Sequence, residues 1–204
     1  DQYYVESDLK NDAKVVVNGT NGTFHNDIID QSDYKIYKTV KVGKTATKEV
    51  ETNTTKKGLT ITGAAGNDTV TGTNYSDIIK GGEGKDTIYG GTGNDTIYGG
   101  DGDDTIYGGA GNDTIYGEAG ANKIKFKAGD GIDTVYSGTG EDTLEFSGIS
   151  FSDLQFSRGK NQKDKNDLII KYSENDSVTV KNYFAIDKKT KLPTTSVKYI
   201  TTNE

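Results

Sequence analysis

Between Gly63 and Glu145 an aliphatic side chain returns at every ninth position. The series is Val70, Ile79, Ile88, Ile97, Ile106, Ile115, Ile124, Val135 and Leu144, broken once where Phe126 and Lys127 are inserted. A second column, at the sixth place of each copy, reads Asp68, Asp77, Asp86, Asp95, Asp104, Asp113, Asn122, Asp133 and Asp142. No random low-complexity tract keeps two such columns in register. Each copy predicts a six-residue turn followed by a three-residue strand, typically Thr-Ile-Tyr, whose residues are strong β formers. Side chains alternate faces along a strand, so the eighth position points inward as a thin core and the seventh and ninth point out. Two copies complete one coil, so copies n and n+2 stack on the same edge. Nine copies make about four and a half coils, roughly 20 Å long at the usual strand spacing.

The flanks follow a different pattern. Residues 35–42 and 48–54 read as polar strands around Val42-Gly43-Lys44, a hairpin insert. Val15–Val17 and Leu59–Thr62 are apolar-leaning strands, and residues 22–30 hold one degenerate copy in which His25 replaces the fourth-position glycine. Beyond the repeats, Leu154/Phe156, Leu168/Ile170 and Val178/Val180 alternate as strands should, with Ser173-Glu174-Asn175-Asp176 as the turn between two of them. The organisation expected is an N-terminal cap over 1–62, a roll over 63–145 and a C-terminal cap over 146–204. An atypical cap is needed because a solenoid end exposes unpaired backbone and apolar core.

Composition changes this picture in one respect. The chain has 204 residues, 27 Gly, one Pro, no Cys, Met or Trp, and a net charge of −7. Such a mixture would ordinarily class as disordered. The repeat block holds 21 of the glycines and carries 15 acidic against 5 basic residues, while residues 1–62 are neutral and 146–204 are net +3. An acidic chain is a poor nucleic-acid binder, since phosphate contacts need clustered Lys and Arg. No apolar run approaches about 18 residues, so no transmembrane segment is expected. Without cysteine there is no disulfide staple. The chain begins without Met and without a signal-peptide pattern, which reads as a fragment of a longer polypeptide.

Written from Gly81, the copies GGEGKDTIY, GGTGNDTIY, GGDGDDTIY and GGAGNDTIY resemble the RTX (repeats-in-toxin) nonapeptide. Residues 146–184, with their ISFSDLQFSR, NDLII and DSVTVKNYF runs, resemble the haemolysin-type calcium-binding-related segment that follows such blocks. The resemblance implies an all-β fold, a right-handed parallel β-roll with β-rich N- and C-terminal caps, and several bound Ca2+ ions. Physical chemistry agrees. Stacking sets Asp86 over Asp104 and Asp95 over Asp113, and bare carboxylates so placed repel. A core one aliphatic side chain deep cannot offset the entropy of ordering a glycine-rich chain. Calcium takes six to eight oxygens, from carboxylates and backbone carbonyls, in flexible geometry, whereas magnesium demands an octahedron and keeps its waters. Zinc is excluded by the lack of Cys and the single His.

The candidate ligands therefore lie in the turns. They begin with Asp68 and Asp77. The next copies contribute Gly81, Gly82, Glu83, Gly84 and Asp86, then Gly90, Gly91, Thr92, Gly93 and Asp95. Gly99, Gly100, Asp101, Gly102 and Asp104 follow, and then Gly108, Gly109, Ala110, Gly111 and Asp113. Past the insertion stand Gly129, Gly131 and Asp133. Glu118 and Asn122 depart from the repeat and weaken the expectation around 117–122.

Other chemistry is sparse. Tyr89, Tyr98, Tyr107 and Tyr116 face out, and the two-copy coil stacks Tyr89 on Tyr107 and Tyr98 on Tyr116. That ladder either stabilises the sheets or offers a surface to a glycan or a neighbouring surface protein. His25 has no positioned partner, and no HExxH, GxSxG or Cys nucleophile is present, so the segment is not expected to be an enzyme. The resemblance implies export through a type I secretion apparatus and folding on calcium outside the cell. The parent would be a large secreted toxin, adhesin or surface-layer protein, extracellular or at the bacterial cell surface. The alternatives are a carbohydrate- or partner-binding module, or the RTX tail of a secreted enzyme whose catalytic domain lies elsewhere. Residues 197–204 are open between part of a secretion signal and the end of a segment.

Overall fold

The Thr-Ile-Tyr triplets form strands because their β-branched and aromatic side chains suit a pleated, half-buried surface. In the computed structural model these strands coil into a parallel β-solenoid of about five turns. The structure describes residues 28–30, 36–42, 45–51, 58, 60–190 and 194–203, the first three stretches by backbone alone. Ahead of the repeats come β1 (Ile28–Asp30), β2 (Ile36–Val42) and β3 (Thr45–Glu51). The roll runs through β4 (Thr60–Ala65), β5 (Thr69–Thr71), β6 (Ile78–Glu83), β7 (Thr87–Thr92), β8 (Thr96–Asp101), β9 (Thr105–Ala110) and β10 (Thr114–Ala119). It continues through β11 (Lys123–Lys127), β12 (Ile132–Tyr136) and β13 (Asp142–Ser147). The last elements are β14 (Gln155–Arg158), β15 (Leu168–Lys171), β16 (Ser177–Val180) and β17 (Val197–Asn203).

Alternate strands form two sheets, ordered β1-β5-β7-β9-β11-β13-β17 and β14-β15-β16-β12-β10-β8-β6-β4. Register is eighteen residues, two copies: Thr87 lies opposite Thr105 and Ile79 opposite Ile97. Across the Phe126-Lys127 insertion it lengthens to twenty, with Thr114 opposite Thr134. All nine eighth-position aliphatics, together with Ile61, are 0% exposed and belong to one core between the sheets. Each such side chain stabilises the fold by roughly 1.5–3 kcal/mol.

One expectation needs correcting. The strands β6 to β10 are six residues long, not three, and continue through the first three positions of the next copy. In β6 to β9 the second-position glycines make this possible, and in β10 Glu118 takes the same place at φ 61°. Gly82, Gly91, Gly100 and Gly109 turn at φ 123°, 113°, 109° and 99° while still pairing coil to coil, as Gly91 does with Gly109. An L-residue is rarely found there. Only positions four to six are left as the turn.

At the N-terminal side, β1 sets Ile29 opposite Val70, the register of an eighth position, which agrees with a degenerate copy ending at Asp30. The hairpin β2–β3 is present, but its second strand starts at Thr45, three residues earlier than the polar pattern suggested. Val15–Val17 and His25 lie outside the described residues.

At the C-terminal side, β16 adds to β12 in parallel, and β15 and β14 then pair antiparallel. The 173–176 turn forms as expected, with the Ser173 N–H donating to the Asp176 carbonyl. Leu154 is buried, but Phe156 points out from β14, an edge strand exposed along its whole length. Residues 197–203 are β17, paired parallel to β13, which gives that stretch a structural place in the roll.

Candidate metal centre

The acidic column is built by the turns. From Asp86 onward each sixth-position side chain extends along the solenoid axis, and its Oδ1 accepts the backbone N–H of the sixth-position residue one coil earlier. Asp77 N–H donates to Asp95 Oδ1 at 2.8 Å, Asp86 to Asp104 at 2.9 Å, Asp95 to Asp113 at 2.8 Å and Asp113 to Asp133 at 2.9 Å. These side chains are 1–2% exposed. The stacking of Asp86 on Asp104 and of Asp95 on Asp113 is therefore present, in two columns, one per edge.

The second oxygen of each carboxylate points differently. In Asp86, Asp95, Asp104 and Asp113 the Oδ2 atom is buried and accepts no hydrogen bond. Leaving such a group unsatisfied costs about 1–3 kcal/mol, and more when it is charged. Each lies beside its own copy's first glycine. A Cβ placed on Gly81 would stand 2.4 Å from Asp86 Oδ2 and 2.3 Å from the Gly99 carbonyl oxygen of the next coil. The same pairing recurs at Gly90, with Asp95 Oδ2 and the Gly108 oxygen, and at Gly99, with Asp104 Oδ2 and the Gly117 oxygen. A carboxylate oxygen and a backbone carbonyl thus converge, coil after coil, where any side chain would obstruct them.

Burial has the corresponding electrostatic effect. It pushes Asp95 and Asp104 up to about 7 and Asp113 to about 6, and it raises Asp86 as well, with repulsion between neighbouring carboxylates adding to each. Acceptor-only oxygens, buried and repelling, match the donor set of a hard dication. Among the described residues no three acidic or imidazole side chains close on one point. An ion here would draw the rest of its shell from backbone carbonyls.

In three copies a hydrogen bond takes the place of the orphaned oxygen. Thr73 replaces the second glycine of its copy, and its N–H and hydroxyl donate to Asp77 Oδ2 at 2.6 and 2.9 Å. Ser196 donates its hydroxyl to Asp142 Oδ2. Asn122 Nδ2 donates to the Gly117 carbonyl at 3.0 Å, occupying with an amide proton the place where its neighbours aim a bare oxygen. Asn122→Asp is accordingly expected to bind one calcium ion more than the parent chain. Native mass spectrometry at saturating calcium counts the ions, and an unchanged count would show that this copy is closed for another reason.

The remaining candidates divide by side chain and backbone. Glu83, Thr92, Asp101 and Ala110 point their side chains into solvent. The carbonyls of Glu83, Asp101 and Ala110 accept the N–H of Gly66, Gly84 and Gly93, so these third positions bind the coils together. Asp133 is buried, and burial pushes it up to about 8. Gly129 and Gly131 both donate their N–H groups to the Asp176 carboxylate, a partner that sequence reasoning missed.

Also missed was an outer ladder at the fifth position. Asn112 N–H donates to Asn94 Oδ1, Lys85 N–H to Asn67 Oδ1 and Ala121 N–H to Asp103 Oδ1. The recurrence of Asn and Asp there was its signal. The tyrosines stack as expected, Tyr89 on Tyr107 and Tyr98 on Tyr116 at 4.7 Å, and Tyr136 extends the second column at 4.8 Å.

Compared with known families, residues 62–97, 89–124 and 126–147 match the RTX calcium-binding nonapeptide repeat, in four copies. The matched residues end at 147. A search of curated proteins found no match.

Proposed function

With RTX calcium-binding nonapeptide repeats running through residues 62–147, we propose that the chain is a module that reaches its ordered state when calcium binds. The observation that carries this reading is the row of buried, unpartnered Oδ2 atoms on Asp86, Asp95, Asp104 and Asp113. When bound, calcium supplies positive charge and coordination to oxygens that otherwise repel. The chain supplies everything else. The first glycines leave room, the sixth-position acids fix one oxygen on the preceding coil and present the other, and the eighth-position aliphatics hold both sheets against a common core.

The setting proposed is export through a type I apparatus followed by folding outside, within a secreted toxin, adhesin or surface-layer protein. Charge supports that order. At low calcium the repeat block, with 15 acidic and 5 basic residues, repels itself and stays extended. Extracellular modules bind calcium at about 10⁻⁴–10⁻³ M, so the same chain would order only after it leaves the cytosol. Circular dichroism across a calcium titration tests the reading. Strand signal is expected to rise cooperatively with calcium and to fall again with chelator, and magnesium at equal concentration should not substitute. An identical far-ultraviolet spectrum in chelator and in calcium would sink it.

A second reading is favoured by one observation. The stacked tyrosines have partly exposed faces, with Tyr89 39% exposed, and Lys80 and Lys125 lie over Tyr98 and Tyr107. Such a surface suits sugar stacking. Binding to a glycan array at fixed calcium, lost in a Tyr89→Ser/Tyr107→Ser variant that keeps its stability, separates it from a purely structural ladder.

A further inference from the structure

The regular coil is interrupted once, and the chemistry at the interruption differs from that of the repeats. At Gly81, Gly90 and Gly99 a carbonyl from the next coil meets the aspartate Oδ2. At Gly108 the three nearest atoms all belong to Asp113, so no partner carbonyl comes within 3.3 Å. The Phe126-Lys127 insertion explains the loss. Phe126 stands where the next first-position glycine would come, and its ring goes into the core against Phe146 and Tyr172.

Asp130 then enters from the following turn. Third-position side chains are exposed in the regular copies, but Asp130 is 4% exposed. Its Oδ2 accepts the Lys127 N–H at 2.8 Å, its carbonyl accepts the Gly111 N–H at 2.8 Å, and its Oδ1 is buried without a partner. The turn is held by Asp176, which receives the N–H groups of Gly129 and Gly131. Asp176 also fixes Tyr172, whose N–H donates to the Asp176 carbonyl.

The Tyr172 hydroxyl is the second, independent observation. Tyr172 is 5% exposed, its ring packs on Phe126 and Phe146, and its hydroxyl finds no hydrogen-bond partner. The charges acting on that hydroxyl are Asp133, Asp130, Asp176 and Asp113. A buried hydroxyl without a partner, in the field of four carboxylates, calls for an explanation.

We propose that Asp113 Oδ2, Asp130 Oδ1 and the Tyr172 hydroxyl hold a further calcium ion at the break in the coil, with the Asp130 side chain replacing the backbone carbonyl that the insertion removes. The proposal rests on the calcium reading of the repeats and extends it to the side chain of a third-position residue, Asp130, and to Tyr172 outside the repeats. All donors are oxygens, which selects a hard cation over zinc. Asp133 adds a further carboxyl group near Asp113 and Asp130, and Lys127, which acts on Asp130, is itself exposed.

The test counts calcium ions by native mass spectrometry on the whole chain, with affinities from calcium titration calorimetry. Asp130→Asn is expected to bind one ion fewer than the parent. Tyr172→Phe keeps the ring packing and is expected to weaken a single ion by about tenfold, while the count at saturation stays the same. If Asp130→Asn fails to fold, Tyr172→Phe decides alone. A parent chain that binds calcium, with both variants matching it in count and affinity, would overturn this site and leave the repeat reading standing. A parent chain that binds no calcium would overturn both.

Discussion

Gly102→Ala is expected to lower the thermal midpoint of the calcium-saturated chain by about 10 °C or more, corresponding to about 4 kcal/mol. Gly102 sits at φ 136°, which L-residues rarely adopt, and a Cβ there would stand 1.9 Å from the Gly84 carbonyl oxygen and 2.7 Å from its carbon. No side-chain rotation relieves such a contact, because both sides are backbone. Relief requires moving one coil away from the next, which loosens the Gly102 N–H bond to Ala119 and every contact stacked beyond it. Gly148→Ala is the control. Gly148 has φ 69° and open space around its missing Cβ, so it should lose only about 1–2 kcal/mol for the left-handed backbone. Equal losses in the two variants would mean that close approach between coils contributes nothing.

The second large effect is an inversion of pH dependence by calcium. Burial first, with neighbouring carboxylates adding, raises Asp95 and Asp104 from 3.8 to about 7 and Asp113 to about 6. A carboxylate raised in the folded state binds a proton more readily folded than unfolded, so folding is favoured as pH falls through the raised value towards about 4. In chelator the roll is therefore expected to be least stable above pH 8 and to regain strand content between pH 7 and 4.5. Asp95 alone is worth on the order of 4 kcal/mol across that window. With calcium the sign reverses, since protons compete with the ion for the same oxygens, and stability should drop as the pH falls below about 6. Urea midpoints at pH 4.5, 6 and 8, with calcium and with chelator, check both limbs. Parallel limbs would show that the buried acids are not what calcium satisfies.

The period of nine was enough to read the coil, the inward aliphatics, the stacked acids and the tyrosine columns, because each depends only on residues eighteen apart falling in register. What stayed hidden depended on exceptions. Thr73 and Ser196 look like ordinary polar residues, and their donation to Asp77 and Asp142 requires knowing which oxygen is turned towards them. The insertion was visible as two extra residues, but its result was not. Phe126 fills the core, Tyr172 arrives from a segment 45 residues further on, and Asp130 is turned inward. Strand length was misjudged because glycine was counted as turn, whereas a glycine with positive φ can continue a ladder. Phe156 obeys alternation but lies on an edge strand, where neither face is covered. Local pattern fixes which way a side chain alternates, and only the neighbouring strand decides whether either side is inside.

The eighteen-residue register also has a mechanical meaning. Within the repeats each turn is tied by main-chain and carboxylate bonds to the coils directly before and after it. A steady pull on the ends would therefore peel the roll as thread leaves a spool, one loop at a time. Each release would free about 56 Å of chain, eighteen residues at about 3.4 Å less the thickness of one coil. Because each loop must break its own set of bonds, the load would be shed in a series of similar small steps and would not collapse in one. A cation seated between two loops would act as a local brake on that unwinding, and the tether's resistance to stretching would then follow the calcium concentration around it.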